Sequence, residues 1–464
     1  MTSNNSYSVC PQKESNNNLE TNLGNNSIKN AKQKSHLFLP RESLLTPILF
    51  ETPSGNFFCG LYITFTLIYI LHRIILYFVE ENTASSEWNQ DFGLFQFAFR
   101  GFSHGLRIWF VYHLVLVLIL YPLVKFFGHS KLIMTSLFLT MFAGILSYTT
   151  YSTISLDIMG PATRFALSIE TMRIGLKMAS FIKTVYLLKK EKKECNETEE
   201  PITSFPHFIY YLFAPTGLYA PSYPKSEKRS WSRIWIYLYI LSTYIYIGFY
   251  VVRNMVYPLS IVGHEKLSLS LLLKQLFFSA TVTHIYFVVT AAIQAYQCWS
   301  NLWAEILLFA DRKFYSDFWT EPNVRHWNLK WNLILQNYLY NMVYLPMIDL
   351  LKNKTMAAVV TMIFSGFFFH EYELTLTIGH YFYFPFYIIP QVAMLFYHSD
   401  PKGLHPILRF VNFFLWISIH GCAFVVYALE YYSRRNCLIP EGRSVVADAF
   451  IPRFLSCVHI DYQK

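Results

Sequence analysis

Residues 132–152 read LIMTSLFLTMFAGILSYTTYS, a stretch with no Asp, Glu, Lys or Arg. A hydrocarbon core roughly 30 Å thick is crossed by about 20 mainly apolar residues wound as a helix, since only helices and closed barrels satisfy their own backbone there. Comparable runs lie near 58–78, 104–125, 233–252, 267–293, 333–348, 356–377, 380–397 and 407–429. The pattern predicts an all-α, polytopic membrane protein of about nine transmembrane helices. Composition agrees. Of 464 residues, 53% are apolar, 19% aromatic and only 14% charged, too greasy for a soluble domain.

The formal charge of +9 is scattered through loops and tails and forms no basic stripe interleaved with aromatics, so no nucleic-acid partner is expected. The charge suits anionic headgroups or an anionic cofactor. Seven cysteines occur without C-x-x-C or Cys/His spacing, which argues against a metal site. Cys437 and Cys457 lie together after the last apolar run; they are either a bridge in an oxidising lumen or two free thiols. No basic segment followed by a short apolar run opens the chain, so the first span is expected to direct insertion. Residues 1–45, rich in Asn, Ser and Lys, bury too little to offset ordering and are expected to form a disordered tail. Residues 46–464 form the membrane domain.

Three segments between the apolar runs are not spans: 157–184, 185–232 and 297–332. No internal repeat of the transporter kind is visible. Glu170, Arg173 and Lys177 are spaced to share one helix face. An interfacial helix follows, its stripe facing headgroups and water or the phosphates of an anionic cofactor. Asn196 and Asn353 open glycosylation sequons, which matter only in a luminal loop.

Chemistry concentrates in Phe364-Ser365-Gly366-Phe367-Phe368-Phe369-His370-Glu371-Tyr372. An imidazole in an apolar span is a functional candidate able to take a hydroxyl proton near neutral pH; the alternative is a helix-packing histidine. A second polar island runs from Trp319 to Asn328. Asn328 either orients a carbonyl or alkoxide without charge or caps a helix. No G-x-S-x-G elbow occurs, so a serine hydrolase is excluded.

These residues carry a family resemblance. Phe314-Tyr315-Ser316-Asp317-Phe318-Trp319-Thr320, Trp327-Asn328 and His370-Glu371-Tyr372 resemble motifs of the sterol O-acyltransferases, within the membrane-bound O-acyltransferase superfamily. Phe213-Ala214-Pro215-Thr216, Ser222-Tyr223-Pro224, the Glu170/Arg173/Lys177 helix with Ser180-Phe181, and Arg434-Arg435-Asn436-Cys437 with Cys457 are similar to further family segments. The likeness runs from about Arg41 to the end. Four positions depart from the family pattern: Phe318 for Trp, Thr320 for Asn, and Asn332 and Gln297 where histidines that line the tunnel are usual. Acceptor preference or tightness is where these changes would act.

The resemblance implies an intramembrane reaction chamber in the endoplasmic-reticulum membrane, a dimer or tetramer, acyl-CoA as co-substrate with no further cofactor, a sterol acceptor, and a Cys437–Cys457 disulfide. In that scheme His370 is the general base and Asn328 holds the acyl-CoA or the developing oxyanion. Trp327 walls the tunnel, with Phe314, Tyr315, Asp317, Trp319, Glu371 and Tyr372 as substrate-binding candidates. A diacylglycerol acyltransferase, a transporter and a non-enzymatic sterol-binding relative are the alternatives.

Overall fold

The computed structural model describes residues 38–79, 87–156, 158–195, 203–251, 253, 297–367, 372–378, 405–411 and 413, with shorter pieces between 430 and 459. These residues are mostly helical. In chain order the helices are α1 (Pro53–Val79), α2 (Glu87–Ala98), α3 (Phe102–Val115), α4 (Tyr121–Phe127), α5 (Lys131–Thr150), α6 (Pro161–Cys195) and α7 (Phe205–Phe213). They continue as α8 (Trp231–Val251), α9 (Cys298–Ile306), α10 (Val324–Trp331), α11 (Leu333–Leu339), α12 (Leu345–Leu351), α13 (Lys354–Gly366) and α14 (Tyr372–Ile378). One departure from the all-α expectation is a small antiparallel pair, β1 (Cys437–Leu438) with β2 (Val458–His459), in which Cys437 faces His459.

Among the described residues three helical stretches are long and apolar enough to cross a membrane: Pro53–Ile75, Phe92–Phe127 and Lys131–Ile154. They coincide with the first three expected spans. The expected span at 233–252 is the helix α8, and that at 333–348 falls on α11 and α12. The one at 356–377 falls on α13 and α14, which flank 368–371 in sequence. The spans at 267–293 and 380–397, and most of 407–429, lie outside the described residues.

Proline shapes two of these helices locally. Pro122 and Pro346 have no N–H to donate back into the preceding turn, and just before each the winding loosens to a π turn, at Leu116–Leu120 and Tyr340–Tyr344. Helix starts are capped in the ordinary way. Ser130 Oγ accepts from Ile133 N (3.4 Å) and Ser204 Oγ from His207 N (3.4 Å), while Asn353 of the sequon accepts from Thr355 N (2.9 Å) and Met356 N (3.1 Å) at the start of α13.

The long helix α6 is the hub, with α2, α3, α5 and α14 packed against it. Its buried Ile174, Met178, Phe181 and Val185 join Ile108 and Tyr112 of α3, Met134 and Ile145 of α5, and Phe208 and Tyr211 of α7 in the main core. A second cluster joins α8 to α9 through Ile234, Tyr237, Ile240, Cys298 and Leu302. By contrast, α1 is peripheral: only 6% of its span is buried, against 33% for Phe92–Phe127. Its Phe57, Phe58, Phe65 and Phe78 are all exposed. An apolar helix that buries so little needs lipid as its solvent. Hydroxyls tie it to α8, Tyr62 with Thr243 at 2.6 Å and Thr66 with Tyr239, beside a cavity of about 470 Å³ lined by both helices.

The fold begins before the boundary that composition gives. Residues 38–41 and 308–312 run side by side, with Arg41 N bonded to Ala310 O (2.9 Å) and Arg312 N to Arg41 O (2.8 Å). Ala310 N also donates to Pro224 O (3.0 Å), and Ser226 N to Leu308 O (2.8 Å), so 308–312 lies between two other segments. Ser43 and Leu45 are buried. Residues 38–45 therefore belong to the packed structure.

Gly160, just ahead of α6, sits where a side chain has no room: a Cβ there would lie 2.1 Å from Phe97 O and 2.5 Å from Ala98 O. Backbone oxygens cannot turn aside as a side-chain tip can. Gly160→Ala is expected to cost about 1–3 kcal/mol through overpacking, seen as a lower melting temperature of the detergent-purified protein. Gly144, within α5, meets nothing within 4 Å, and Gly144→Ala should leave melting unchanged or slightly raised. Equal melting of the two variants would refute the close approach.

Candidate functional site

The Phe314–Thr320 motif forms a strap over the junction of α10 and α11. Ser316 N donates to Lys330 O (2.7 Å) and Leu333 N to Phe314 O (2.9 Å), which fixes the strap against α10 and α11. Phe314 is buried and stacks on Phe309 at 6.4 Å between ring centroids. Tyr315 is buried too, its hydroxyl 2.9 Å from Ser43 Oγ and accepting from Leu45 N at 2.9 Å. Trp327, on α10, stacks on Trp331 (5.1 Å) and meets Phe318 edge-on (5.4 Å). The departure at Phe318 thus fills a core position against Trp327. Phe314, Tyr315 and Trp327 all belong to the main hydrophobic core.

Asp317 points the other way. It is exposed and pairs with Lys330 at 3.0 Å, and that ammonium, hydrogen-bonded to it, holds the carboxyl below its usual range. Thr320 Oγ1 donates to Asp317 O (2.6 Å). Such a surface pair adds little to stability. Asp317→Asn is expected to keep turnover within about threefold of wild type, measured as product formed per unit protein; a loss of orders of magnitude would make Asp317 part of the chemistry.

Asn328 lies within α10, so it is not that helix's cap; Asn323 Oδ1 takes the capping role, accepting from His326 N (3.3 Å). Asn332, the third departure, caps α11 by accepting from Leu335 N (2.9 Å). The side chains of Asn328 and Trp319, and residues His370, Glu371 and Cys457, lie outside the described residues. Tyr372 opens α14 and donates to Leu146 O of α5 (3.4 Å), which fixes the helix immediately after His370-Glu371.

The α6 stripe corrects its sequence reading. Glu170, Arg173 and Lys177 do share a face, yet that face meets protein, not headgroups or water. Arg173 binds Glu170 through Nε (2.7 Å) and donates to Leu212 O (2.6 Å). Lys177 donates to Tyr211 O (2.5 Å) and Ala214 O (2.8 Å), with its ammonium over the Tyr211 ring. Two cations thus meet the carbonyl end of α7, where the helix dipole is negative, and hold the Phe213-Ala214-Pro215-Thr216 turn. Burial pushes the Lys177 pKa well down. Burial opposes the charge on Glu170, but Arg173 outweighs it and keeps the carboxyl below its usual range.

Two residues of this clasp on α3 carry no sequence motif. Trp109 Nε1 donates to Glu170 Oε1 (2.7 Å), and His113 presents Nδ1 to Trp109 O (2.9 Å) and Nε2 to Arg173 (3.2 Å). Their four-residue spacing was a usable signal, since it places both on the α6-facing side of one helix.

At the C-terminal end, Cys437 is disulfide-bonded. Arg453 joins its surroundings, donating to Cys437 O (3.1 Å) and to Asp448 Oδ2 (2.8 Å), while Arg434 reaches the same carboxylate at 2.8 Å.

No protein-family model matches the chain. Sterol O-acyltransferase 1 of Mus musculus is 25% identical over 451 residues, 92% of this chain and 80% of the relative. Sterol O-acyltransferase 2 of Rattus norvegicus is 24% identical over 448 residues, 91% and 81% of the two chains, and that of Homo sapiens 24% over 425 residues, 88% and 78%. A helical membrane protein with this likeness along nearly its whole length is an acyltransferase. More narrowly, the sterol O-acyltransferases are what the chain is similar to, along nearly its whole length.

Proposed function

We propose that the protein transfers a long-chain fatty acyl group from acyl-CoA to the 3-hydroxyl of a sterol, forming a steryl ester. The observation that carries this reading is the likeness to sterol O-acyltransferases over 92% of the chain, in a chain that also holds the His370-Glu371-Tyr372 and Trp327-Asn328 motifs.

In the proposed mechanism His370 accepts the sterol hydroxyl proton as the oxygen attacks the thioester carbon. The new C–O bond forms, the C–S bond breaks, and the departing thiolate takes the proton from the imidazolium. A thioester is already activated, so the protein supplies chiefly positioning, a base and exclusion of water. Asn328 holds the acyl-CoA or the oxyanion, and Trp327 walls the tunnel with the Phe314-Tyr315 strap behind it. About nine transmembrane helices enclose the chamber, in the endoplasmic-reticulum membrane and as a dimer or tetramer. No cofactor beyond the co-substrate takes part, and Cys457 is the partner of Cys437 in the luminal disulfide.

The test is to express the chain in acyltransferase-deficient cells and give their membranes labelled oleoyl-CoA with cholesterol or with diacylglycerol. Labelled steryl ester supports the reading. Triacylglycerol alone would move the acceptor to diacylglycerol, and neither product would overturn the enzymatic reading on these substrates.

A further inference from the structure

Gln297, Asn301 and Glu305 follow one another at four-residue steps and so form a stripe along α9 and the residue before it. All three are buried: Gln297 and Asn301 are 0% exposed and Glu305 1%. Their hydrogen bonding thins out along the stripe. Glu305 is paired with Arg312 and accepts from Ser230 N at 2.6 Å. One turn back, the Asn301 amide donates to Ser43 Oγ (3.0 Å) and Gln297 O (2.9 Å), which fixes which end is nitrogen. Its Oδ1 has no partner among the described residues, and one further turn back neither Nε2 nor Oε1 of Gln297 has one.

Buried side-chain amides are nearly always paired, and an orphaned one is costly to keep. Leucine or methionine would fill position 297 without that cost. An amide held there at a loss fits a group that arrives from outside and brings the missing bonds. Gln297 has both an unpaired donor and an unpaired acceptor, and Asn301, one turn along the same face, has a further unpaired acceptor, so the visitor must both give and take hydrogen bonds. A hydroxyl does both at one oxygen. A trans secondary amide, as in the pantetheine arm of CoA, points its N–H and C=O in opposite directions, and an ester carbonyl can only accept.

We propose that Gln297 and Asn301 form a binding seat for the hydroxyl of the acceptor lipid. The inference rests on the acyl-transfer reading above and adds to it a specificity-determining pair. Sterol and diacylglycerol both carry a suitable hydroxyl, and the experiment separates them.

Full-length wild type and Gln297→Met are purified in nanodiscs. Direct binding of labelled cholesterol, diacylglycerol and hydroxyl-free cholestane is measured, with KM for acceptor and for acyl-CoA and the melting temperature. The variant should bind one hydroxyl lipid about tenfold more weakly and show a matching rise in acceptor KM. KM for acyl-CoA and binding of cholestane should not change, and melting should be equal or higher. Which lipid responds names the source of the hydroxyl. Unchanged binding of both hydroxyl lipids would overturn the proposal and leave an ordered water as the occupant; a lowered melting temperature would overturn it by making the amide structural. If wild type esterifies neither lipid, the enzymatic reading fails, and the binding comparison still decides this one.

Discussion

His370→Ala is expected to lower acyl transfer by about two to four orders of magnitude, the usual contribution of a positioned general base, while the protein remains folded in the membrane. In the proposed mechanism the proton of the sterol hydroxyl has to go somewhere as the C–O bond forms, and an apolar chamber would hold no water to take it. His370 is the titratable group in the Phe364–Tyr372 window whose ordinary pKa lies near the working pH. The helix that follows it is fixed by Tyr372 on Leu146 O, so alanine at 370 should remove the base and little else. Activity and melting are measured on the same preparation. Turnover retained at the wild-type level would remove His370 from the mechanism, and loss of activity together with loss of the folded protein would make it a packing histidine.

Arg312→Ala should produce the largest loss of stability, about 3–5 kcal/mol, because it leaves a buried carboxylate without its counter-ion. Arg312 and Glu305 are almost fully buried, 3% and 2% exposed at the side chain. Arg312 also donates to Phe309 O (3.0 Å) and Ser226 Oγ (3.3 Å), so one guanidinium gathers α9, the 308–312 segment and the 224–226 segment. Its loss should show as a marked fall in the temperature at which the detergent-purified protein leaves solution. Glu305→Leu combined with Arg312→Met should recover much of that fall, since a buried pair replaced by apolar groups is often neutral. A single variant melting with wild type would show that the pair is not the clamp described.

The apolar runs were readable because lipid imposes a length and composition no other environment does, and the first three spans coincide with helices of the right kind. The strap was readable as a unit because its aromatics and Trp327 lie within fourteen residues of one another. The α6 stripe was readable only in part. Spacing reports which side chains share a face, but Arg173 and Lys177 also reach the backbone carbonyls of Leu212, Tyr211 and Ala214 at the end of α7, and a carbonyl is the same in every residue. Choosing Asn323 over Asn328 as the cap was beyond pattern for a similar reason: both are Asn within the same short island, and only the helix boundary tells them apart. The disordered-tail boundary was misplaced at 38–45 because composition cannot see that Arg41 has a partner far along the chain.

That partner is Asp311, bound by Arg41 through two bonds of 2.7 Å across a sequence separation of 270 residues. A ribosome adding about 5–20 residues per second makes Arg41 roughly 14–54 s before it makes Asp311. During that interval α1 can enter the bilayer, yet the segment ahead of it has nothing to dock on, and Ser43 waits equally for Tyr315. Closure of the amino-terminal segment is therefore a post-insertion event that reports the arrival of the 308–315 region. The first described residues to leave the ribosome are among the last to find their place.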